Sequence, residues 1–314
     1  METNEEYVKS LIFMTRTYEG ITKQVSAAKN RTKSLMREKS LKHDTVISKM
    51  KSLKGQIDQL IGKELVFYPI WNEWLKDVPG IGFTSAAKLI IFYYFRSIAV
   101  CPDCGTDLAK KEVKDEEGEK GNTFYCETCM QSVKGLGNLR YRIEIKDFPL
   151  ISSWWKYMGR HNVEHCPKCR KILKEGVCPK CEKQIEKPIF LMPKRQAKMQ
   201  ADWSTPGRTV GHMIRESFNK QHPSEKNPNP ENPHLYKLHY LREKAKYIKR
   251  EPDWTDGHCH NSAWNNTVKL FLSHFWQVAR TLDDKEMTLP YINQKNPAHN
   301  LILPYYYEGE IKKA

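Results

Sequence analysis

Acidic residues are scarce in this chain. Across 314 residues, 37 Asp and Glu stand against 52 Lys and Arg, a formal net charge of +15. With a pI near 9.3, the sequence argues against an acidic surface and favours a polyanionic partner, of which nucleic acid is the commonest. A secretory start is also missing. METNEEYVKS has no basic residue leading into an apolar run. Long hydrophobic runs are missing too. The most apolar stretch, residues 86–100, is interrupted by Lys88 and Arg96, and is too short and too charged to span a bilayer. The expectation is an intracellular, cytoplasmic protein without a membrane partner. In a reducing compartment its nine cysteines are better suited to metal than to disulfides.

Proline is absent before Pro69, and residues 1–65 read as a helical coiled-coil segment. Ile21, Val25, Ala28, Thr32 and Leu35 recur in steps of four and three, and Val46, Met50, Leu53, Ile57 and Leu60 repeat that spacing. Lys39 and Lys42 weaken the join between the two runs. Two antiparallel helices fit the pattern, and so does one long stuttered helix. A homodimer through this segment and an internal helical hairpin are both compatible with it.

The remaining chain divides by composition. Residues 66–100 hold a compact apolar unit with a Pro-Gly-Ile-Gly turn. Residues 101–146 and 166–190 each carry four cysteines. Residues 147–165 return to aromatic core. Residues 191–314 read as a helical segment with helices near 204–219, 235–250 and 261–281. HPSEKNPNPENP is a loop, and the Pro-rich aromatic tail is expected to wrap over the core. The fold class expected is mainly α, with two small zinc-ribbon β insertions.

The cysteine spacing carries the most chemistry. Cys101 and Cys104 pair with Cys126 and Cys129, and Cys166 and Cys169 pair with Cys178 and Cys181, every pair being C-x-x-C. Such a turn aims two thiolates at one point about 2.3 Å from a zinc ion, and two turns complete a tetrahedron. A redox pair would need only one turn, so two complete sets predict two structural Zn2+ ions. Four thiolates close the coordination shell and leave no catalytic position. The second ribbon has almost no apolar core, so metal must supply its folding energy. Cys259, in Gly-His-Cys-His, has no evident fourth ligand and reads as core.

In LKDVPGIGFTSAA, Pro79, Gly80, Ile81 and Gly82 form the turn of a helix-hairpin-helix, with Lys88 in the helix that follows. The glycines would let backbone N–H groups face a phosphate at a helix N-terminus. A helix–helix turn without ligand has the same signature. Tyr236, Tyr240 and Lys244 share one helical face and could lie along a phosphate backbone, or form the half-buried face of an ordinary helix. Val268, Phe271, Leu272, Phe275 and Trp276 form a core stripe, with Lys269, His274 and Arg280 lying off it as surface or site residues, and Lys269 and Arg208 join the expected nucleic-acid contacts.

The order of these features resembles the C-terminal, helix-hairpin-helix half of the DEDD-type, RNA-bridged insertion-sequence transposases. It runs from a helical segment through L-x-x-V-P-G-I-G-x-x-x-A-A to Tyr157-Met-Gly159. A Gly-Arg-led helix from Gly207 and Arg208, the Tyr/Lys helix and A-x-x-x-x-V-K-x-F-L-x-x-x-W follow. The similarity covers residues 20–98, 147–160 and 204–281, and the two ribbons stand as insertions. It implies DNA or structured RNA as partner, a role connected with DNA recombination, and a RuvC-like acidic domain. Only about twenty residues precede the coiled coil, too few for such a domain, so it would have to be a partner chain. The family's nucleophilic serine is usually followed by glycine, and no Ser-Gly pair occurs here. Ser204, in Trp-Ser-Thr-Pro-Gly, is the nearest candidate, and it equally fits a helix N-cap. The reading is a zinc-containing nucleic-acid-binding relative of these transposases, not catalytic alone. The alternatives are a recombinase half that uses Ser204 with a RuvC-like partner, and a protein-interaction scaffold.

Overall fold

A computed structural model describes residues 5–35, 41–114, 120–133, 140–193, 201–224, 226–228, 230–288 and 301–311. The chain is mainly helical, about 53%. In chain order it forms α1 (Glu5–Leu35), α2 (Leu41–Leu65), α3 (Pro69–Glu73), a 3-10 turn at Leu75–Asp77 and α4 (Phe83–Tyr94). Strands β1 (Phe95–Val100), β2 (Ala109–Lys114), β3 (Lys120–Cys126), β4 (Gln131–Val133) and β5 (Arg140–Ile145) precede α5 (Ile151–Tyr157). Then come β6 (Val163–His165), β7 (Val177–Cys178), β8 (Lys183–Gln184), β9 (Ile189–Leu191), α6 (Thr205–Asn219), α7 (Leu235–Arg250) and α8 (Asp256–Leu282).

α1 and α2 form an antiparallel hairpin. Ser10 donates to Glu64 at 3.1 Å, the Tyr7 and Phe67 rings stack at 4.3 Å, and the Lys54 ammonium lies 4.7 Å over the Tyr18 ring. The long stuttered helix is therefore not formed. The seam also differs in register from the heptad reading. Val8, Leu11, Ile12 and Val25 of α1 are buried along with Ile47, Ile57, Ile61 and Leu65 of α2, whereas Val46, Leu53 and Leu60 are exposed. In an antiparallel pair the contact line follows Ile47, Ile57 and Ile61, so only part of the heptad pattern turns inward.

α8 is the centre of the molecule. Its stripe residues Val268, Phe271, Leu272, Phe275 and Trp276 are buried, and so are His274 and Arg280 on the other sides. A helix covered all round is a core helix and loses its polar face. Its own Trp264 and Trp276 are fully buried, as are Trp74 and Trp154, each contributing on the order of 2–3 kcal/mol through removal from water. Two of the four indole N–H groups find partners, while those of Trp154 and Trp264 have none among the described residues. Trp276 donates to Phe148 O at 2.6 Å, and Trp74 donates to Tyr305 O at 2.8 Å. The tail residues 301–311 do pack on this core, with Tyr305, Tyr306 and Tyr307 against it. Residues 289–300 lie outside the described residues.

Both cysteine segments leave the core through two-stranded antiparallel stalks. β1 pairs with β5, Phe95 opposite Ile145 and Val100 opposite Arg140. The first segment adds a three-stranded sheet in the order β2-β3-β4. β6 pairs with β9, Val163 opposite Leu191 and His165 opposite Ile189, and the β7–β8 hairpin sits between them. The second segment has a separate small core of Cys166, Leu173 and Cys178, with Cys169, Cys181 and Ile185 against it.

Candidate metal centres and basic surfaces

Each cysteine set gathers into one cluster whose sulfurs all lie within 4.8 Å of one another. In the first, Cys101 and Cys129 are 3.9 Å apart and Cys104 and Cys126 3.5 Å apart. In the second, Cys166 and Cys181 are 3.9 Å apart, Cys169 and Cys178 3.3 Å, and Cys169 and Cys181 3.7 Å. A tetrahedron with bonds of about 2.3 Å has edges of about 3.8 Å, so both sets fit a zinc ion without rearrangement. The donor chemistry agrees, since four soft sulfurs are a zinc shell and not one for calcium or magnesium.

The local backbone explains how the sequence reaches this geometry. In every knuckle the residue after the second cysteine is left-handed. These are Gly105 (φ 75°), Met130 (φ 54°), Arg170 (φ 56°) and Glu182 (φ 53°). Three of the four are not glycine, so the turn holds a conformation that local sterics disfavour. The reversal lets backbone amides close on the first cysteine: Gly105 N–H donates to Cys101 O at 3.0 Å, Arg170 N–H to Cys166 O at 2.8 Å and Glu182 N–H to Cys178 O at 2.8 Å. The second-cysteine amides point at sulfur instead, Cys129 N–H to Cys126 Sγ at 3.3 Å and Cys181 N–H to Cys178 Sγ at 3.4 Å. Such donors favour thiolate over thiol.

The thiols share protons unevenly. Hydrogen bonding to Thr106 pulls Cys104 down to about 6, while the Cys104 and Cys126 thiols push Cys129 up. In the second cluster the Cys169 and Cys178 thiols push Cys181 up to about 12. A metal ion displaces these last protons, so occupancy is a competition between zinc and H+.

The two ribbons differ in charge. Residues 101–146 contain eight Lys and Arg and nine Asp and Glu, whereas residues 166–190 contain seven Lys and Arg and three Glu. In the second ribbon Lys168, Arg170, Lys171, Lys174, Lys180, Lys183 and Lys187 are all exposed. Among the described residues none of them is held in an ion pair.

The turn at Pro79-Gly80-Ile81-Gly82 joins a 3-10 turn, not a full helix, to α4. Gly80 has φ +88°, and a Cβ there would lie 2.9 Å from Ser217 Oγ and 3.0 Å from the Gln221 amide nitrogen. Ser217 Oγ donates to Gly80 O at 2.6 Å, and His234 Nε2 lies 3.0 Å from Pro79 O. Ile81 is buried. Gly80 and Ile81 are therefore packed against α6 and the start of α7, while Pro79 and Gly82 are exposed. Near the N-terminus of α4, Thr84 donates to the Asp58 carboxylate, a negative group where the phosphate was expected.

The other expected contact residues mostly serve the interior. Lys88 is buried and ion-paired with Glu19 at 2.7 Å. Tyr236 is fully buried, its hydroxyl 2.8 Å from His274 Nδ1. Tyr240 stacks on Trp264 at 4.2 Å and reaches His260 Nδ1 at 2.8 Å. Tyr236 and Tyr240 are thus core and are not available to a phosphate backbone. Lys244 pairs with Asp256 at 2.7 Å, and Lys269 lies 5.0 Å over the Trp155 ring. Arg208 donates to Pro193 O at 2.6 Å and lies 5.2 Å over Trp203. Cys259 is buried core.

Ser204 is the N-cap of α6, its Oγ accepting from Gly207 N–H at 3.0 Å, with proline in the first turn. Burial raises the Tyr157 hydroxyl beside it, opposed by a hydrogen bond to Ser204 and by the Arg96 charge. Gly207 allows close approach to Met158, whose sulfur would be 2.9 Å from a Cβ there. Sequence reading missed Arg160, buried between α6 and α8. Burial and the charges of Arg208 and Arg215 lower it to about 10. It reaches Asn265 Oδ1 at 3.4 Å, and its Nε has no partner. An arginine following a Tyr-Met-Gly turn was the available signal.

No family model, curated protein or solved structure matches this chain. The metal clusters and the charge distribution therefore carry the functional argument.

Proposed function

We propose that this protein is a zinc-stabilised nucleic-acid-binding protein, with DNA as the first candidate, related to the helical half of the DEDD-type transposases. It acts without strand-transfer chemistry of its own. The single observation that carries the binding reading is the second ribbon. Seven basic side chains are exposed on a small unit whose fold depends on four thiolates, against three Glu, and among the described residues none of the seven is held in an ion pair. Metal thus does more than hold a loop. It fixes the geometry of a cationic patch, and cations held on a rigid unit release counterions when they meet phosphates.

Two features support the non-catalytic part. Ser204 already accepts a cap hydrogen bond. Among the described residues, the groups able to hold a metal ion are the two cysteine sets, with no carboxylate cluster beside them, and paired-metal strand chemistry needs carboxylates.

The test is anisotropy titration of labelled duplex at several salt concentrations. Wild-type affinity should fall steeply with salt. Replacing Lys168, Lys171, Lys180 and Lys183 by Gln should weaken binding about tenfold or more and lessen the salt dependence. Salt-independent binding, or no binding at all, would sink the reading.

A further inference from the structure

The α1–α2 hairpin was read in sequence for its apolar seam, but its distal half is equally distinctive for charge. Between residues 20 and 56 there are ten Lys and Arg and two acidic residues. That is a surplus of eight, more than half of the protein's net +15, on about an eighth of its length. We propose that this distal hairpin is an arm that grips the phosphate backbone of double-stranded nucleic acid. The inference rests on the nucleic-acid reading above and adds a second contact, on a different element from the ribbon.

The geometry supplies a track. A groove of about 450 Å³ runs between α1 and α2, lined by Lys29, Lys51 and Lys54 with Val25 among its lining. A second, of about 350 Å³, shares Ser26 and Lys29 with it and continues to Lys33 and Ile47. The four lysines therefore line two adjoining grooves that share Ser26 and Lys29. Lys29 and Lys33 are one turn apart on α1, and Lys51 and Lys54 are neighbours on α2, so each pair shares a face. Among the described residues, none of the four is ion-paired. From Gly20 to Leu35 the arm extends roughly 22 Å at about 1.5 Å per residue, the axial length of about six nucleotides of one strand at 3.4 Å each.

The chemistry narrows the partner. Thr22 and Ser26 donate their hydroxyl hydrogens to Tyr18 O and Thr22 O within α1, at 2.8 and 3.0 Å. They are not free to read base edges, so the contact is electrostatic and independent of sequence. Residues 20–56 contain no Phe, Trp or Tyr. Single-stranded binding depends on aromatic platforms for unstacked bases, and the one aromatic lining the two grooves, Tyr18, is already covered by the Lys54 ammonium. A stacked duplex, presenting phosphates on a regular rod, is the ligand that lysines alone can follow. Asp58 also lines the first groove, where it accepts from Thr84, so the phosphate track is the part lined by Lys29, Lys33, Lys51 and Lys54.

The experiment uses the full chain with zinc and a variant, Lys29→Gln, Lys33→Gln, Lys51→Gln and Lys54→Gln. Circular dichroism verifies its helix content. Affinity is measured from low to high salt for a DNA duplex and an RNA duplex of about thirty base pairs, and for polyglutamate. The expected result is a loss of about tenfold or more for duplex, with the slope of log affinity against log salt reduced by about two to four. The duplex showing the larger change identifies the source of the phosphates. A variant with the wild-type slope on both duplexes overturns the arm, while wild-type binding would leave the general reading standing. Loss confined to polyglutamate also overturns it, assigning the arm to acidic proteins. A wild-type chain that binds neither duplex removes both proposals together.

Discussion

The His234 imidazole joins the N-terminus of α7 to the Pro79 turn. Its Nδ1 accepts from Lys237 N–H at 3.1 Å, which leaves Nε2 as the donor to Pro79 O at 3.0 Å. Both ring nitrogens are in use only in the neutral form, because a protonated Nδ1 cannot accept.

This predicts acid sensitivity. Burial, with the Lys237 charge adding and the Pro79 carbonyl opposing, holds His234 at about 4. Burial, opposed by the Ile302 carbonyl, holds His274 at about 3. Unfolded, each titrates near 6.5. Between about 6.5 and 4 the unfolded chain binds protons that the native chain refuses, so stability is full above that window and falls as pH drops through it. The slope is up to about 1.4 kcal/mol per pH unit for each imidazole. Thermal melts at pH 7.5, 6.5 and 5.5 should show the fall, and His234→Gln should flatten it. Both proteins carry the same thiolate sites, so the difference in slope isolates the imidazole. Equal slopes would show that His234 takes up its proton equally in the native and unfolded states.

Elemental analysis of protein purified under reducing conditions should give two zinc ions per chain, as the two thiolate sets require. Cys178→Ser should release one of them and unfold the second ribbon alone. Its core is three buried residues, separate from the main core, too slight to survive metal loss. Amide exchange should stay slow in α8 and become fast over residues 166–190. Melting of the whole chain would show that the ribbon is not independent.

The two glycines of the Pro79 turn should respond differently. Gly80→Val meets a left-handed φ and atoms of Ser217 and Gln221 within 3.0 Å, and should cost about 2 kcal/mol or more. Gly82 is an extended N-cap facing open space. Gly82→Asp should leave stability unchanged or improve it by about 0.5 kcal/mol. If the α4 N-terminus holds a phosphate, the added carboxylate should weaken duplex binding severalfold. Unchanged affinity would remove that site.

Ser204→Ala should cost about 1 kcal/mol through loss of the α6 cap and leave nucleic-acid affinity intact. Incubation with labelled duplex and branched DNA, with magnesium, should give no denaturant-resistant adduct. An adduct present in wild type and absent in Ser204→Ala would make the serine a nucleophile.

Much of the architecture was legible because it is set by local chemistry. The C-x-x-C spacing named all eight cysteines that gather into the two clusters, and helices α6, α7 and α8 fell near their expected ranges. Surface and interior were harder to tell apart. His274 and Arg280 lie off the apolar stripe of α8 yet are buried, since neighbours cover every side and each finds a partner: Tyr236 and Ile302 O for His274, Asp147 and Phe148 O for Arg280. Tyr236 and Tyr240 looked like a binding face because periodicity places side chains on one side of a helix without saying what that side meets. The register of α2 failed for a related reason. Val46 and Ile47 are equally apolar neighbours, and only the antiparallel partner selects Ile47.

The stalks beneath the ribbons bear on how such a chain could have been assembled. Val100 faces Arg140, and His165 faces Ile189, across paired strands. Each excursion thus leaves and re-enters the core at adjacent points, where a two-residue reverse turn could bridge the gap. Whole modules can be gained, lost or exchanged at these two ports while the tryptophan-rich interior keeps its contacts. A lineage could then change what the protein touches without redesigning what holds it together.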